Sequence, residues 1–262
     1  MKSIMNIVIF SQHFWPEIFR INDVAIELSS KNNVSVVTGQ PNYPKGKIFK
    51  GYNHYKPKIS FLDKIKIIRL PIISRSKGKS YNLIFNYISF IISGLFYKGF
   101  IKKNIKSDIV FIYGTSPILQ AIPAIFFAKW MKVPVVLWVQ DLWPESLSET
   151  GYIKNKLILK LVNKIVLYIY KHCDKILLQS PEFLKHHNIK FFKQKCQVHF
   201  NPSEFKESES NFKIKKKDEF SLIYSGNIGK VQNLEFILDL ARLSINNAWK
   251  VKFIIIGDGS EK

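Results

Sequence analysis

Residues 108–146 read DIVFIYGTSPILQAIPAIFFAKWMKVPVVLWVQDLWPES, and their pattern decides the fold class. Asp108–Tyr113 and Val135–Val139 are unbroken apolar runs of strand length, and Ile118–Met131 between them is apolar over the length of a helix. A strand without polar alternation is covered on both faces, as in a parallel sheet whose crossovers are helices. The same rhythm extends both ways. Upstream, Met5–Phe10, Val34–Thr38 and Lys66–Leu70 read as strands, with a helix over Ile21–Ser30 after the first. Gln40 to Lys58, which holds Pro, Asn, Gly and Tyr, reads as one long loop. Downstream come a helix over Asn155–His172, strands at Lys175–Gln179 and Gln197–Phe200, and a helix start at Ser180-Pro181-Glu182 with Ser180 as cap. Strands alternating with helices predict an α/β protein built on a doubly wound parallel sheet.

Composition changes at Asn201. From there to Asp218 apolar residues are few, and Pro202 and the Lys215-Lys216-Lys217 run mark a linker. The strand–helix logic then restarts with Phe220–Tyr224, Leu234–Ser244 and Val251–Ile256, followed by Gly257-Asp258-Gly259. The expected organisation is a complete domain over residues 1–200, a linker over 201–218 and an incomplete second domain over 219–262. One strand–helix–strand unit is too small to bury a core of its own.

The formal net charge is +21, carried by 36 lysines and only four arginines. Base reading leans on the planar guanidinium fork, so this balance argues against a nucleic-acid partner and suits an anionic membrane surface. A lysine-biased composition without any partner is the plain alternative. Cys173 and Cys196 have no metal-like neighbours and are expected as reduced thiols of a cytoplasmic protein. The opening apolar run MNIVIF is too short for the core of a signal peptide. Leu83–Ile101 is the most hydrophobic helix candidate, interrupted by Asn86, Ser89, Ser93 and Lys98. It reads as a buried helix of the first domain or as a helix lying in the membrane interface. A span is disfavoured, because strands of one sheet would have to meet across a bilayer.

Three clusters fall where strands end, the place where doubly wound sheets bind ligands. The first runs from Ser11-Gln12-His13-Phe14-Trp15-Pro16-Glu17 to Arg20-Ile21-Asn22-Asp23. It contains no glycine, which excludes the G-x-G-x-x-G turn of a nicotinamide dehydrogenase. Trp15 and its polar neighbours suit a hydroxyl-rich ligand, unless Trp15 simply packs and Asp23 caps the helix. The second is Val139–Ser146, where Asp141 and Glu145 flank Trp143. A sugar offers hydroxyls to such carboxylates and C–H groups to such a ring, and Asp141 is placed to act as a base. Alternatively Asp141 or Ser146 caps a helix whose dipole Glu145 answers. The third is Tyr224–Lys230, where small residues, a helix N-terminus and Lys230 suit phosphate, with Gly257 and Gly259 after the next strand beside it.

Taken in order, SQHFWPEIFRINDVAIEL, TGQPNYPKGKIFKGY, VVLWVQDLWPESLSETG, YSGNIGKVQNLE and IIGDG resemble the family 4 glycosyltransferases of the GT-B fold. The likeness is greatest to the bacterial branch that includes the L-fucosamine (N-acetylfucosamine) transferases of polysaccharide assembly. It implies two Rossmann-like domains, the acceptor on the first, the nucleotide sugar mainly on the second, and chemistry in the cleft between them. It assigns Asp141 to catalysis, facing the sugar. Trp15, Arg20, Asn22, Asn42, Tyr43, Trp143 and Glu145 fall to the acceptor, and Gly226, Asn227, Gly229, Lys230, Gly257 and Gly259 to the donor diphosphate.

The family's chemistry retains the anomeric configuration and requires neither metal nor cofactor. The implied partners are a UDP-sugar donor and a polyprenyl-diphosphate-linked sugar acceptor, at the inner face of the plasma membrane, in O-antigen or capsule synthesis. Two departures stand out. Many members hold the diphosphate with an Arg and a Lys where Asn227 and Gln232 appear here, and the later acidic motif that grips the donor falls beyond Lys262. This chain is therefore expected to show little transferase activity alone, and a non-catalytic membrane- or acceptor-binding remnant is the second reading.

Overall fold

The computed structural model describes residues 4–76, 80–149, 155–202, 220–229, 232–259 and 261–262. The chain divides into two compact units, Met1–Ser148 with Tyr152–Asn201, and Glu149–Gly151 with Pro202–Lys262. Residues 203–218 of the expected linker lie outside the described residues.

The first unit is built on an eight-stranded sheet. In chain order its strands are β1 (Asn6–Phe10), β2 (Asn33–Gly39), β3 (Lys58–Leu62), β4 (Ile65–Leu70), β5 (Ile109–Gly114), β6 (Val135–Val139), β7 (Lys175–Leu178) and β8 (Cys196–Val198). Their spatial order is β3-β4-β2-β1-β5-β6-β7-β8. Every neighbouring pair is parallel except β3 with β4. Strand order reverses between β1 and β5, so the crevice beyond their carboxyl ends is the topological switch point.

Strand β3 corrects the long-loop reading at its end. Its residues KISFL alternate weakly and are mostly half-exposed, as an edge strand allows, and the hairpin into β4 turns at Asp63. Asp63 adopts φ 49°, in the left-handed region that Asp tolerates.

Side chains alternate across the sheet and form two apolar layers. Val8, Phe10, Ile112, Leu137 and Val139 point to one face, and Ile7, Ile9, Tyr113 and Trp138 to the other. The helices are α1 (Arg20–Ser29), α2 (Ser80–Phe96), α3 (Lys98–Asn104), α4 (Ala121–Met131), α5 (Glu145–Glu149), α6 (Lys156–Lys171) and α7 (His187–Lys190). Ile21 and Ala25 of α1 fill the second layer. Phe90 of α2, Phe127 of α4 and Ile169 of α6 fill the first.

The expected single helix over Leu83–Ile101 is two helices, α2 and α3, bent by 60° at Tyr97. No single helix among the described residues is long and apolar enough to cross a membrane, although this bent pair passes on length and composition. After Ser180 the chain forms a 3-10 turn, Pro181–Lys185, rather than an α-helix, and the Ser180 hydroxyl accepts from the Glu182 N–H at 3.2 Å.

In the second unit β9 (Phe220–Ser225) pairs in parallel with β10 (Val251–Ile256), the two connected through α8 (Glu235–Asn246). Phe236, Leu238 and Ile245 of α8 and Ile223 of β9 are exposed.

A glycine inside α2 is explained by contact rather than flexibility. A Cβ on Gly94 would stand 2.6 Å from Cβ of Pro123 in α4. Gly94→Leu should lower stability by about 1–3 kcal/mol, the usual cost of overpacking, and urea denaturation followed by circular dichroism measures it.

Candidate functional site

The carboxyl ends of β1, β2, β4, β5 and β6 carry the loops that hold most of the residues singled out in the first unit. Four of their X–Pro bonds, before Pro16, Pro44, Pro117 and Pro144, are cis. Polar side chains organise these loops from within. Gln12, the second residue after β1, donates its backbone N–H to Oε1 of Gln120 at 2.6 Å and its Nε2 to Oδ1 of Asn86 at 2.7 Å. Gln120 donates back to the carbonyl of Tyr113, and Asn86 to that of Ile73. All three side chains are buried, so each bond replaces water that the site excludes.

Glu17 ties the first loop to the second. Its Oε1 accepts from the backbone N–H groups of Asn42 and Tyr43, both at 2.6 Å, and its Oε2 lies 2.9 Å from His13 Nδ1. The pair is about as buried as the sheet itself. Arg69, also buried, donates Nη2 to the carbonyl of Trp15 at 2.6 Å and lies over the Tyr52 ring. Among the described residues its Nε and Nη1 have no hydrogen-bond partner. Burial pushes the Arg69 guanidinium down from its ordinary pKa, while Tyr52 and Glu17 hold it up.

Asp141 follows β6 by two residues and accepts the Ser116 N–H on Oδ2 at 2.7 Å. The loop after β5 thus fixes the carboxylate in place. Tyr113, the residue before Gly114 at the end of β5, marks where charges gather. Burial pushes its phenol up to about 12, with Arg20 opposing and Asp141 and Asp23 adding. Arg20 and Asp23, far in sequence from Asp141, therefore act with it on one point beside the switch point.

Several expected residues do other work. Trp143 offers no face to a sugar: it is 2% exposed, and its Nε1 donates to Ser116 Oγ at 3.0 Å. Asn42 is wholly buried, donating to the Gln40 carbonyl and accepting from Arg75 N. Asn22 braces the first loop, accepting from Trp15 N and donating to the Glu17 carbonyl. Asp23 does not cap α1; it lies in the first turn and pairs with Arg20 at 3.2 Å, while Phe19 occupies the cap position. Glu145 stands beside two histidines, His186 and His187. Trp15 and Tyr43 keep partly exposed rings, and Arg75 lies over Tyr43. Sequence reasoning gave no role to Gln120 or Arg69, whose signal was a polar residue inside an apolar run, as Asn86 also is; it placed His13 and Glu17 in the first cluster without pairing them.

In the second unit the loops after β9 and β10 pack on each other. Ile228 N donates to the Asp258 carbonyl and Gly226 N to that of Ile256. A Cβ on Gly257 would lie 1.8 Å from the Gly226 carbonyl oxygen, and one on Gly259 2.0 Å from that of Ile228. Those two glycines are thus required by backbone contact between the loops, apart from any phosphate. Asn227 Nδ2 donates to Gln232 Oε1 at 3.1 Å. Lys230 lies outside the described residues.

No protein-family model and no curated protein matches the sequence. Solved structures match the fold. The catalytic domain of starch synthase IV from Arabidopsis thaliana, bound to ADP and acarbose, has a TM-score of 0.59 at 10% identity, over 98% of this chain and 69% of that one. UGT2 of Phytolacca americana, complexed with UDP-2fluoro-glucose and pterostilbene, has a TM-score of 0.54 at 11% identity, over 96% of this chain and 71% of that one. HepE from Anabaena, in complex with UDP and glucose, has a TM-score of 0.50 at 8% identity, over 96% and 69%. The fold is GT-B. Among these and related matches the chain spans from 57% to 72% of the neighbour's length. In the GT-B framework, the Asp141 and Glu17 loops occupy the carboxyl edge of the first Rossmann-like sheet, and the glycine loops the same edge of the second.

Glu17→Ala should destabilise the protein by about 3 kcal/mol, because it strands two buried N–H groups and His13. Glu17→Gln should cost less, since its carbonyl still accepts one of them. Paired denaturation curves give both values.

Proposed function

We propose that the chain is a retaining, family 4 glycosyltransferase. It moves a sugar from UDP to a saccharide carried on polyprenyl diphosphate, on the cytoplasmic face of the plasma membrane. The observation that carries this reading is Asp141, fixed by the Ser116 N–H next to the switch point of a GT-B sheet. A carboxylate there is suited to hold the acceptor hydroxyl as its oxygen bonds to the anomeric carbon. The bond from that carbon to the UDP oxygen breaks on the same face, and the departing diphosphate takes up the charge and the hydroxyl proton. Stabilisation of that charge falls to protein donors rather than to a required metal, and the turn at Gly226 and Asn227 is the part assigned to the diphosphate. The branch that the sequence resembles makes N-acetyl-L-fucosamine the first donor sugar to try, and O-antigen or capsule the first pathway.

The acceptor lipid calls for membrane contact, and α2 suits it. Phe85, Ile88, Ile92 and Phe96 are exposed along one side of the helix and line a groove of about 490 Å³ with Pro71 and Ile73. Beyond the bend, Lys98 and Lys102 place their ammonium groups 5.5 and 4.5 Å from the centre of the Trp130 ring. An apolar helix face bordered by lysines and an indole is the arrangement that lies in an anionic lipid interface.

With UDP-sugars and a polyprenyl-diphosphate acceptor, the chain joined to the C-terminal half of a related enzyme should release UDP. Asp141→Asn should lower that release by about 100-fold, the scale of a misplaced reacting group, with an unchanged circular dichroism spectrum. Equal turnover in the variant would remove Asp141 from the chemistry. Acceptor binding without UDP release would favour a binding protein instead. Separately, Ile92→Glu with Phe96→Glu should weaken flotation with anionic vesicles but leave behaviour with neutral vesicles unchanged.

A further inference from the structure

We propose that Glu145, His186 and His187 form a binding site for a divalent transition metal of the Zn²⁺ class. The site joins the ends of two neighbouring strands, and it rests on the side chains themselves rather than on the transferase reading. Glu145 opens α5, in the loop after β6. His186 closes the 3-10 turn after β7 in an extended conformation, with φ −62° and ψ 136°, and His187 opens α7. That extended residue is what lets two consecutive histidines address one carboxylate. Their rings lie side by side, with centroids 4.4 Å apart and planes at 41°.

The distances are those of a chelate. His186 Nε2 lies 3.0 Å from Glu145 Oε2, and His187 Nε2 lies 3.5 Å from Glu145 Oε1. One ligand atom from each residue falls within 4.8 Å of the others. Four-coordinate zinc, with bonds of about 2.0–2.1 Å, sets its ligand atoms about 3.3 Å apart. Close as they are, Glu145 Oε2 and both His186 nitrogens have no hydrogen-bond partner among the described residues, although these atoms are buried. The His186 side chain is 10% exposed. Buried polar atoms of native proteins almost always find a partner. Here Glu145 Oε2 and His186 Nε2 stand 3.0 Å apart as a bare ion-pair contact, and an ion between them and His187 gives both atoms a ligand bond.

Two imidazoles and a carboxylate suit zinc, nickel or cobalt, and three protein ligands leave a position for water. Among the described residues His186 Nδ1 has no outer partner to orient its ring. Such partners are worth about 10–100-fold in metal affinity, so micromolar rather than nanomolar binding is expected. A bound ion would tie the segment carrying Asp141 and Glu145 to the one after β7, and would take Glu145 out of acceptor binding.

The test is titration of the untagged, full chain with Zn²⁺ in a calorimeter, together with Co²⁺ visible absorption. One equivalent should bind, with cobalt bands of a low-coordinate nitrogen–oxygen site. Glu145→Gln and the exposed-residue variant His187→Ala should each weaken binding by about tenfold or more, while His172→Ala leaves it unchanged. Circular dichroism of each variant checks that it is folded. No saturable binding, or equal binding by the parent and both site variants, overturns the proposal and leaves the cluster a histidine–carboxylate ion pair.

Discussion

A carboxylate withdrawn from water must find partners for both oxygens, and Glu17 finds them in segments well separated along the chain. One oxygen takes two backbone N–H groups of the loop after β2, and the other meets His13 of its own loop. Neither loop has regular structure with which to satisfy its backbone, so the carboxylate does for them what a strand neighbour does inside the sheet. The positions of Trp15 and Tyr43, and of the Arg69 guanidinium beneath Trp15, follow from that connection. A group so placed contributes shape more than net stability, since desolvation offsets much of the attraction.

The same principle reaches into the helices. Asn86 and Gln120 sit in apolar surroundings, yet each ends on the first loop, and through Gln12 they couple α2 and the turn before α4 to the end of β1. This gives α2 two distinct sides. Phe90 and Gly94 meet the core and α4, while Phe85, Ile88 and Ile92 remain outside. A helix held by packing and a buried amide on one side can carry an apolar face on the other without losing its position.

The loops of the second unit show how one residue type serves unlike ends. A Cβ on Gly226 would meet only the Tyr224 side chain, 3.1 Å from its hydroxyl, whereas Gly257 and Gly259 are forced by the neighbouring backbone. Glycine spacing alone does not separate these two cases, because the hydrogen at Cα answers crowding by a phosphate and crowding by a carbonyl equally well.

Much of the architecture was legible in the residues. Mostly apolar runs identified seven of the eight strands of the first sheet, because a strand covered on both faces carries few polar side chains. The loop after β6 stood out as a candidate site for a similar reason, since Asp141 lies two residues past an apolar strand. Strand β3 escaped because an edge strand buries too little to leave a pattern, and the break between α2 and α3 escaped because apolar residues continue across it, from Phe96 and Tyr97 to Phe100 and Ile101. Burial of Trp143 and Asn42, the grip of Glu17 and the meeting of Glu145 with His186 and His187 were decided only by tertiary structure. Periodicity along a chain reports which face of an element is covered. It carries no record of which distant side chain will arrive to satisfy a buried polar atom, and the chemistry of this site depends on those arrivals.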